Sequence, residues 1–560
     1  MRRSACIMRR LHPSPSSLSY GKVNLNIFSV LKIRLLHCKI NWKIQNRYIY
    51  ITSVQVIEGV LVMRMENTLT LNKCPKDAIV IPLFENHLED VSIVKKYDKA
   101  LHTALSKLLK PGDFKAGFGS VISTYADSGA FKRIVIAGCG KLREFDTEKL
   151  RRLIAQVDGI FQSYNIRGYT VFMPTLLPFT SSDYLSGKAV AEAVVLSRFN
   201  FITFKSKKDK KIKGLNVVFW NAPKGDFQKG IKDGRVIADN VNTIRELISM
   251  PSNVLTPVKI AETAQDIAAK TDGITCEVFD EEKIKSLNFN GIIAVGKGSV
   301  NPPRFVVMEY DGSNGSQKKP IIIVGKGVSF DTGGISLKPW SGMEKMKYDM
   351  AGSGVVLGVM KTAAELKLPL KLVGLIPTVE NMPGSNAYKP GDVITMASGL
   401  TVEVISTDAE GRLILADALH YACDAYKPEA VIDLATLTGA CAVALGSKAC
   451  AIMGNNRGLI RRFQQNADNA GEKVWELPMW PEYDELIKSD IADIKNSGGP
   501  GAGTIVGGVF LKQFIKNAPW LHLDIASTSW KDSSEKGYLG KGATGFGIRL
   551  LCEILRNWNA

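Results

Sequence analysis

Apolar residues in this chain of 560 residues recur in two patterns. Unbroken runs such as Ala78–Leu83, Arg133–Gly138, Leu215–Trp220 and Ile321–Val324 have the length and β-branched content of buried strands. Stripes at three- and four-residue spacing separate them, as in Tyr97–Leu109, and predict amphipathic helices. One such stripe runs from Gly230 to Met250 through Val236, Ile237, Asn240, Val241, Ile244, Leu247 and Ile248. It stops at Pro251, whose ring cannot continue a helix. Strands alternating with helices predict an α/β fold.

Charge interrupts this pattern in two places. Ser406–Leu413 (Ser-Thr-Asp-Ala-Glu-Gly-Arg-Leu) sets two acids and an arginine on a glycine-containing turn. Leu400–Ile405 before it alternates like a strand, and Leu413–Tyr426 after it carries Leu413, Ala416, Leu419, Tyr421 and Ala422 at helical spacing. The turn is therefore predicted at a strand end entering a helix, where open α/β sheets collect ligands. Asp408 and Glu410, two apart, point the same way if the chain stays extended. Taken alone, such a turn is more often a helix cap in a solvated loop.

The second interruption changes that reading. Ile321–Gly334 is an apolar run that breaks into a glycine-rich turn carrying Lys326 and Asp331, with Lys338 and Asp349 following. Four carboxylates (Asp331, Asp349, Asp408, Glu410) and two lysines gather around two strand ends. Uncompensated, the acids would repel and shift one another's pKa values. Divalent cations are the usual remedy, and oxygen ligands suit Mg, Mn or Zn. The ligand count is that of two metals about 3.5–4 Å apart, which can hold a bridging hydroxide.

Ser406–Leu413, together with Gly325-Lys-Gly-x-x-Phe-Asp-x-Gly-Gly-Ile-Ser-x-Lys338, resembles the signature pair of the leucyl (cytosol) aminopeptidases, two-metal peptidases, here of bacterial type. Pro251–Pro257, Leu434–Ala440, Ser489–Asp493 and His522–Ala526 are similar to further family blocks, and Ser406 departs from the usual Asn without touching a ligand. The resemblance covers roughly Glu66 to Ala560. It implies a small N-terminal α/β domain (66–229), a linker helix (230–250) and a larger mixed-sheet α/β catalytic domain (251–560). It also implies Lys326, Asp331, Asp349, Asp408 and Glu410 as metal ligands, with Zn or Mn bound and Mg or Co as further options.

On the same basis, Lys338 would stabilise the oxyanion and Arg412 would hold a bicarbonate acting as general base. The structural alternative for Arg412 is an ion pair with Asp417 on its own helix. Asp349 would also receive the substrate's free amino group, and Met346, Thr436, Leu437 and Gly439 would line the pocket for the first side chain. Implied too are release of leucine-like residues from the amino end of short peptides, attack by the metal-bridging hydroxide, and a homohexamer. Some bacterial relatives bind DNA, which makes an architectural or regulatory DNA-binding role the alternative.

Composition narrows the remaining classes. The chain is 45% hydrophobic and 22% charged, as in ordinary globular proteins. Nine cysteines without a Cys-x-x-Cys pair suggest reduced thiols in a cytoplasmic protein. Six histidines lack a His-Glu-x-x-His spacing, and no Gly-x-Ser-x-Gly elbow is present, which disfavours a histidine zinc site and a serine hydrolase. No stretch approaches the roughly 18 apolar residues of a membrane span. Net charge is +18, but residues 1–62 hold ten Lys and Arg against Glu58 alone. That basic extension reads as sequence upstream of a start at Met63 or Met65, as a targeting segment, or as a basic arm. The run Lys205–Lys213 reads as a solvated loop, since no aromatic residue is interleaved for nucleic-acid stacking. The glycine-rich Ser489–Gly508 reads as an adaptable loop near the site or at a subunit contact.

Overall fold

The computed structural model describes residues 63–559 apart from 69, 127–128, 177–178, 180–181, 207–213, 224 and 534–536. The basic extension 1–62 and most of the Lys205–Lys213 run lie outside the described residues. Strands β1 (Met63–Thr68), β2 (Ala78–Leu83), β3 (Val121–Tyr125), β4 (Arg133–Gly138), β5 (Gly168–Phe172) and β6 (Leu215–Trp220) form one sheet in the order β1-β6-β5-β2-β4-β3. Only β3 is antiparallel to its neighbour. The predicted runs Ala78–Leu83, Arg133–Gly138 and Leu215–Trp220 coincide with β2, β4 and β6.

The chain continues through β7 (Ile274–Phe279), β8 (Arg304–Asp311), β9 (Ile321–Gly325), β10 (Gly327–Asp331), β11 (Lys371–Asn381), β12 (Val393–Thr395), β13 (Thr401–Glu403), β14 (Ala430–Ala435), β15 (Ala449–Gly454), β16 (Lys473–Glu476), β17 (Ile494–Lys495) and β18 (Trp520–Asp524). Nine of these make a mixed sheet in the order β16-β15-β18-β14-β9-β11-β8-β7, with β10 paired to β11. A small separate sheet runs β12-β13-β17.

The Gly230–Met250 stripe is a helix from Asp226 to Ser249, four residues longer at its start than expected. It packs against both the Asp183–Leu196 and Ala351–Glu365 helices. A single apolar cluster includes Val171, Val194, Val241, Ile244, Val356 and Leu434. The six-stranded sheet, this helix and one face of the large sheet thus share a core. A buried ionic cluster also crosses the junction: Arg151 binds Glu148 (2.6 Å) and Glu192 (2.8 Å), and Arg549 binds Glu472 (3.3 Å).

Three local expectations are corrected. Gly325–Gly334 is not one turn: the extended chain resumes after Lys326 as β10, held by parallel pairing to β11. The strand expected over Leu400–Ile405 shrinks to β13 in the small sheet, and its helix begins at Glu410 rather than Leu413. The acidic turn therefore does not follow a strand of the main sheet. Finally, Ser489–Gly508 is tied down by β17 pairing to β13 and by the Gly503–Lys512 helix.

Strand β9 lies between β11 and β14. The chain reaches β11 through the Ala351–Glu365 helix and β14 through the Glu410–Tyr426 helix, and these two helices pack into different apolar clusters. Chain paths diverging from adjacent strands leave a crevice beyond their carboxyl ends, the usual ligand position in such sheets.

Candidate active site

Lys326 is the first residue past β9, and its backbone is clamped there. Its N–H donates to Leu434 O (3.0 Å) on β14, and its carbonyl accepts from Ser353 N (2.8 Å). The side chain is buried, with Nζ 2.9 Å from Asp349 Oδ2, 2.7 Å from Glu410 Oε1 and 2.9 Å from the Thr436 carbonyl. Gly411 makes room for it, since a Cβ there would lie 2.5 Å from Lys326 Cε.

Each acid arrives from a different element. Asp331 ends β10, and its Oδ1 accepts from Asn381 Nδ2 (2.8 Å) and Gly333 N (2.8 Å). Asp349 follows the short helical turn Met343–Tyr348, and its Oδ1 accepts from the Thr436 hydroxyl (2.6 Å). Glu410 opens the Glu410–Tyr426 helix, a favourable place for a negative charge. Asp408 lies on the turn just before it, the most exposed of the four. Oxygens of Asp331, Asp408 and Glu410 lie within 4.8 Å of one another, and the Lys338 ammonium contacts both Asp331 and Asp408. Gly333, at φ +85°, lets this turn close: a Cβ would come within 2.9 Å of Asp408 Oδ1.

The electrostatics show four acids against two cations. Burial disfavours a charged Lys326, but Asp349, Glu410 and Asp331 outweigh it and hold its pKa above the ordinary value. Burial likewise acts to raise Glu410, yet Lys326 and Lys338 bring it below the carboxylate range. Asp349 and Asp331 go the other way, driven up by burial, with Glu410 adding its repulsion. Two lysines therefore do not neutralise the cluster. Glu410 Oε2 has no hydrogen-bond partner although it is buried. A set of oxygen donors with surplus negative charge fits hard divalent cations.

The same residues lie within two family matches. Residues 242–552 match the model of the cytosol aminopeptidase family, catalytic domain, and residues 80–208 match that of its N-terminal domain. The chain belongs to the cytosol aminopeptidase family. It is 41% identical over 484 residues to a probable cytosol aminopeptidase of Geobacter sp. (strain M21), covering 86% of this chain and 96% of that one. To the probable cytosol aminopeptidase of Geotalea uraniireducens (strain Rf4) it is 42% identical over 465 residues, 82% and 92% of the two chains. Among solved structures, the bottromycin maturation enzyme BotP in complex with Mn is similar with a TM-score of 0.75 and 28% identity, covering 87% of this chain and all of that one. As a member of the family, the protein is an aminopeptidase, a hydrolase of peptide bonds.

In this aminopeptidase Arg412 is buried one helical step beyond Glu410. Its Nη1 donates to Asn496 O (2.7 Å), and its Nε has no partner. It is not paired with Asp417, whose carboxylate accepts instead from Ile292 N (3.1 Å) and Ala397 N (3.1 Å). Burial lowers the Arg412 pKa to about 10, against the pull of Glu410 and Asp524. Thr436 is buried one residue past β14; Leu437 and Met346 are half-buried, and Gly439 is exposed. The loop after β14 that carries Thr436 and Leu437 is anchored by Asp524, which accepts from Leu437 N (3.2 Å) and the Thr438 hydroxyl (2.6 Å).

Sequence reasoning missed the polar residues behind the site. Asn381, at the end of β11, joins Asp331 to Thr407 O (3.0 Å). Thr407 ties the two motifs together: its hydroxyl donates to Gly333 O (2.5 Å) and accepts from Ser336 N (2.8 Å). A buried polar residue closing an otherwise apolar strand was the available signal for Asn381. Among the described residues, no helix is long and apolar enough to cross a membrane.

Proposed function

We propose that the protein is a metal-dependent aminopeptidase that releases leucine-like residues from the amino end of short peptides. The observation that carries this is the buried, undercompensated cluster of Lys326, Asp331, Asp349, Asp408 and Glu410 at the carboxyl ends of β9 and β10. These five residues would hold two divalent cations, Zn or Mn first and Mg or Co as options. When bound, such a pair supplies an activated water and Lewis acidity toward the scissile carbonyl.

The chain's own groups do the rest. Lys338, at the mouth of the cluster with a side chain 21% exposed, supplies a charged donor for the carbonyl oxygen as it becomes anionic. Arg412 offers a planar guanidinium with an unpartnered Nε, suited to a small oxyanion such as bicarbonate. That anion would provide the proton acceptor the two motifs lack. Asp349, steered by the Thr436 hydroxyl, orients the substrate's free ammonium. Met346, Thr436, Leu437 and Gly439 form the wall for the first side chain. Assembly as a homohexamer and a cytoplasmic location complete the proposal; the first rests on the family resemblance, the second on the free cysteines.

Hydrolysis of leucine p-nitroanilide by the purified protein, before and after chelation and on readdition of Mn or Zn, tests this reading. Activity should disappear with the metal and return with it, and N-acetylation of a substrate peptide should block cleavage. Full activity after metal removal, or equal cleavage of acetylated peptides, would refute it.

A further inference from the structure

Asn496 is fully buried, and both ends of its side-chain amide bond the backbone of the catalytic turn. Its side-chain oxygen accepts from Ile405 N (2.8 Å) and Ser406 N (3.2 Å). Its side-chain amide donates to Ser406 O (2.7 Å) and, at longer range, to Ala409 O (3.5 Å). The two carbonyls held in this way lie on either side of Thr407 and Asp408, and the second belongs to the peptide group that enters Glu410. Its backbone carbonyl receives Arg412 Nη1 (2.7 Å), and its backbone N–H donates to Glu403 O (3.0 Å) on β13.

This arrangement answers a question raised by the topology. The turn bearing Asp408 and Glu410 does not leave a strand of the main sheet, so no long ladder fixes its backbone. Thr407 fixes it on one side through Gly333 and Ser336. On the other side the work falls to Asn496, at the end of a segment stapled along β13. Ser489 Oγ donates to Glu403 (2.5 Å) and Thr401 N donates to Asp493 Oδ2 (2.7 Å), which with β17 pairing fix the position of Asn496 itself.

We infer that Asn496 is a positioning residue for the reaction, setting the backbone of the Asp408–Glu410 turn with its side-chain amide and the orientation of Arg412 with its carbonyl. The inference rests on the metal-dependent reading above. An amide is required because the turn offers both N–H groups and carbonyls. A carboxylate of the same shape would meet the carbonyls with no donor, and alanine would remove a partner from four part-buried backbone groups.

The test compares Asn496→Ala and Asn496→Asp with the full-length protein. Manganese affinity of the metal-stripped protein, read by calorimetry, and kcat on leucine p-nitroanilide at saturating manganese should each fall by about 10- to 100-fold, the usual effect of losing a partner behind a metal ligand. KM should change little, because the turn contributes nothing to the side-chain pocket. If Asn496→Ala fails to fold, the same readings on Asn496→Asp decide. Wild-type manganese affinity and kcat in a folded variant would overturn the inference, as would a loss of activity matched by the loss of folded protein. A wild-type protein that binds no divalent cation would instead sink the functional reading on which this one stands.

Discussion

Two buried ionic clusters among the described residues look alike in their close charged contacts. One joins Arg151, Glu148, Glu192, Glu472 and Arg549 at the junction between the small sheet and the C-terminal helix Ile548–Arg556. The other is the Lys326, Lys338 and four-carboxylate set. Each leaves a buried atom without a hydrogen bond, Glu192 Oε1 in the first and Glu410 Oε2 in the second. Orphaned atoms alone therefore do not separate structure from chemistry. Charge balance does. At the junction, burial would lower the arginine pKa values, but Glu192, Glu148 and Glu472 more than compensate and both guanidiniums are held firmly charged. In the crevice, burial drives two acids, Asp349 and Asp331, toward protonation where two lysines face four acids; at the junction it does so for Glu472, where two arginines face three. A buried network close to charge balance specifies packing, whereas one with surplus negative charge at strand ends is prepared for a ligand.

The largest expected effect would come from the incomplete cluster. Glu410→Gln should remove peptidase activity to background and lower metal content measured by mass spectrometry, while the protein stays folded by circular dichroism. Retained turnover would mean that the two clusters had been told apart on false grounds.

Arg151→Ala should do the opposite. Leaving Glu192 and Glu148 buried without their cation should cost about 3–5 kcal/mol of stability in denaturant titration. The kcat of the folded fraction should not change. A catalytic defect without destabilisation would erase the contrast.

Lys338→Ala sharpens the comparison within the crevice. It should lower kcat by about 10²–10³, the scale of losing one oxyanion donor, with bound metal near the wild-type amount. If metal is lost as well, Lys338 belongs to the charge balance rather than to the chemistry.

The smallest effect concerns Asp417, buried outside both clusters. Burial raises its pKa to about 7, opposed by hydrogen bonds from the Ala397, Ile292 and Gly291 backbone. Its unfolded value is about 3.9. With the folded value higher, its contribution to stability is full below about pH 4 and is lost as pH rises through about 7, at about 1 kcal/mol per pH unit within that window. Asp417→Asn should flatten this part of the melting-temperature profile between pH 5 and 8. An unchanged slope would place the titration elsewhere.

The acids were legible in the sequence because their spacing is local. Asp408 and Glu410 lie two apart, and Lys326 and Asp331 are separated by a single short strand. Their convergence was legible only through family resemblance, since no local pattern says that β14 will lie beside β9. The strand before the acidic turn misled, because alternation in Leu400–Ile405 does not distinguish a strand of the separate three-stranded sheet from a main-sheet strand. Glycine content misled in Ser489–Gly508 for a similar reason. Glycines signal backbone freedom, yet here Ser489, Asp493 and Asn496 use side chains to remove it.

The helix Asp226–Ser249 also bears on how this protein can be divided and recombined. The matched family segments end at residue 208 and resume at residue 242, so the second boundary falls inside the helix. A gene fragment starting there would begin in mid-helix, without Ile231, Ile237, Ala238 and Val241 and the core they fill. Exchange of N-terminal halves between relatives is therefore constrained to a seam before Asp226, and even there the incoming half must match the helix surface it meets.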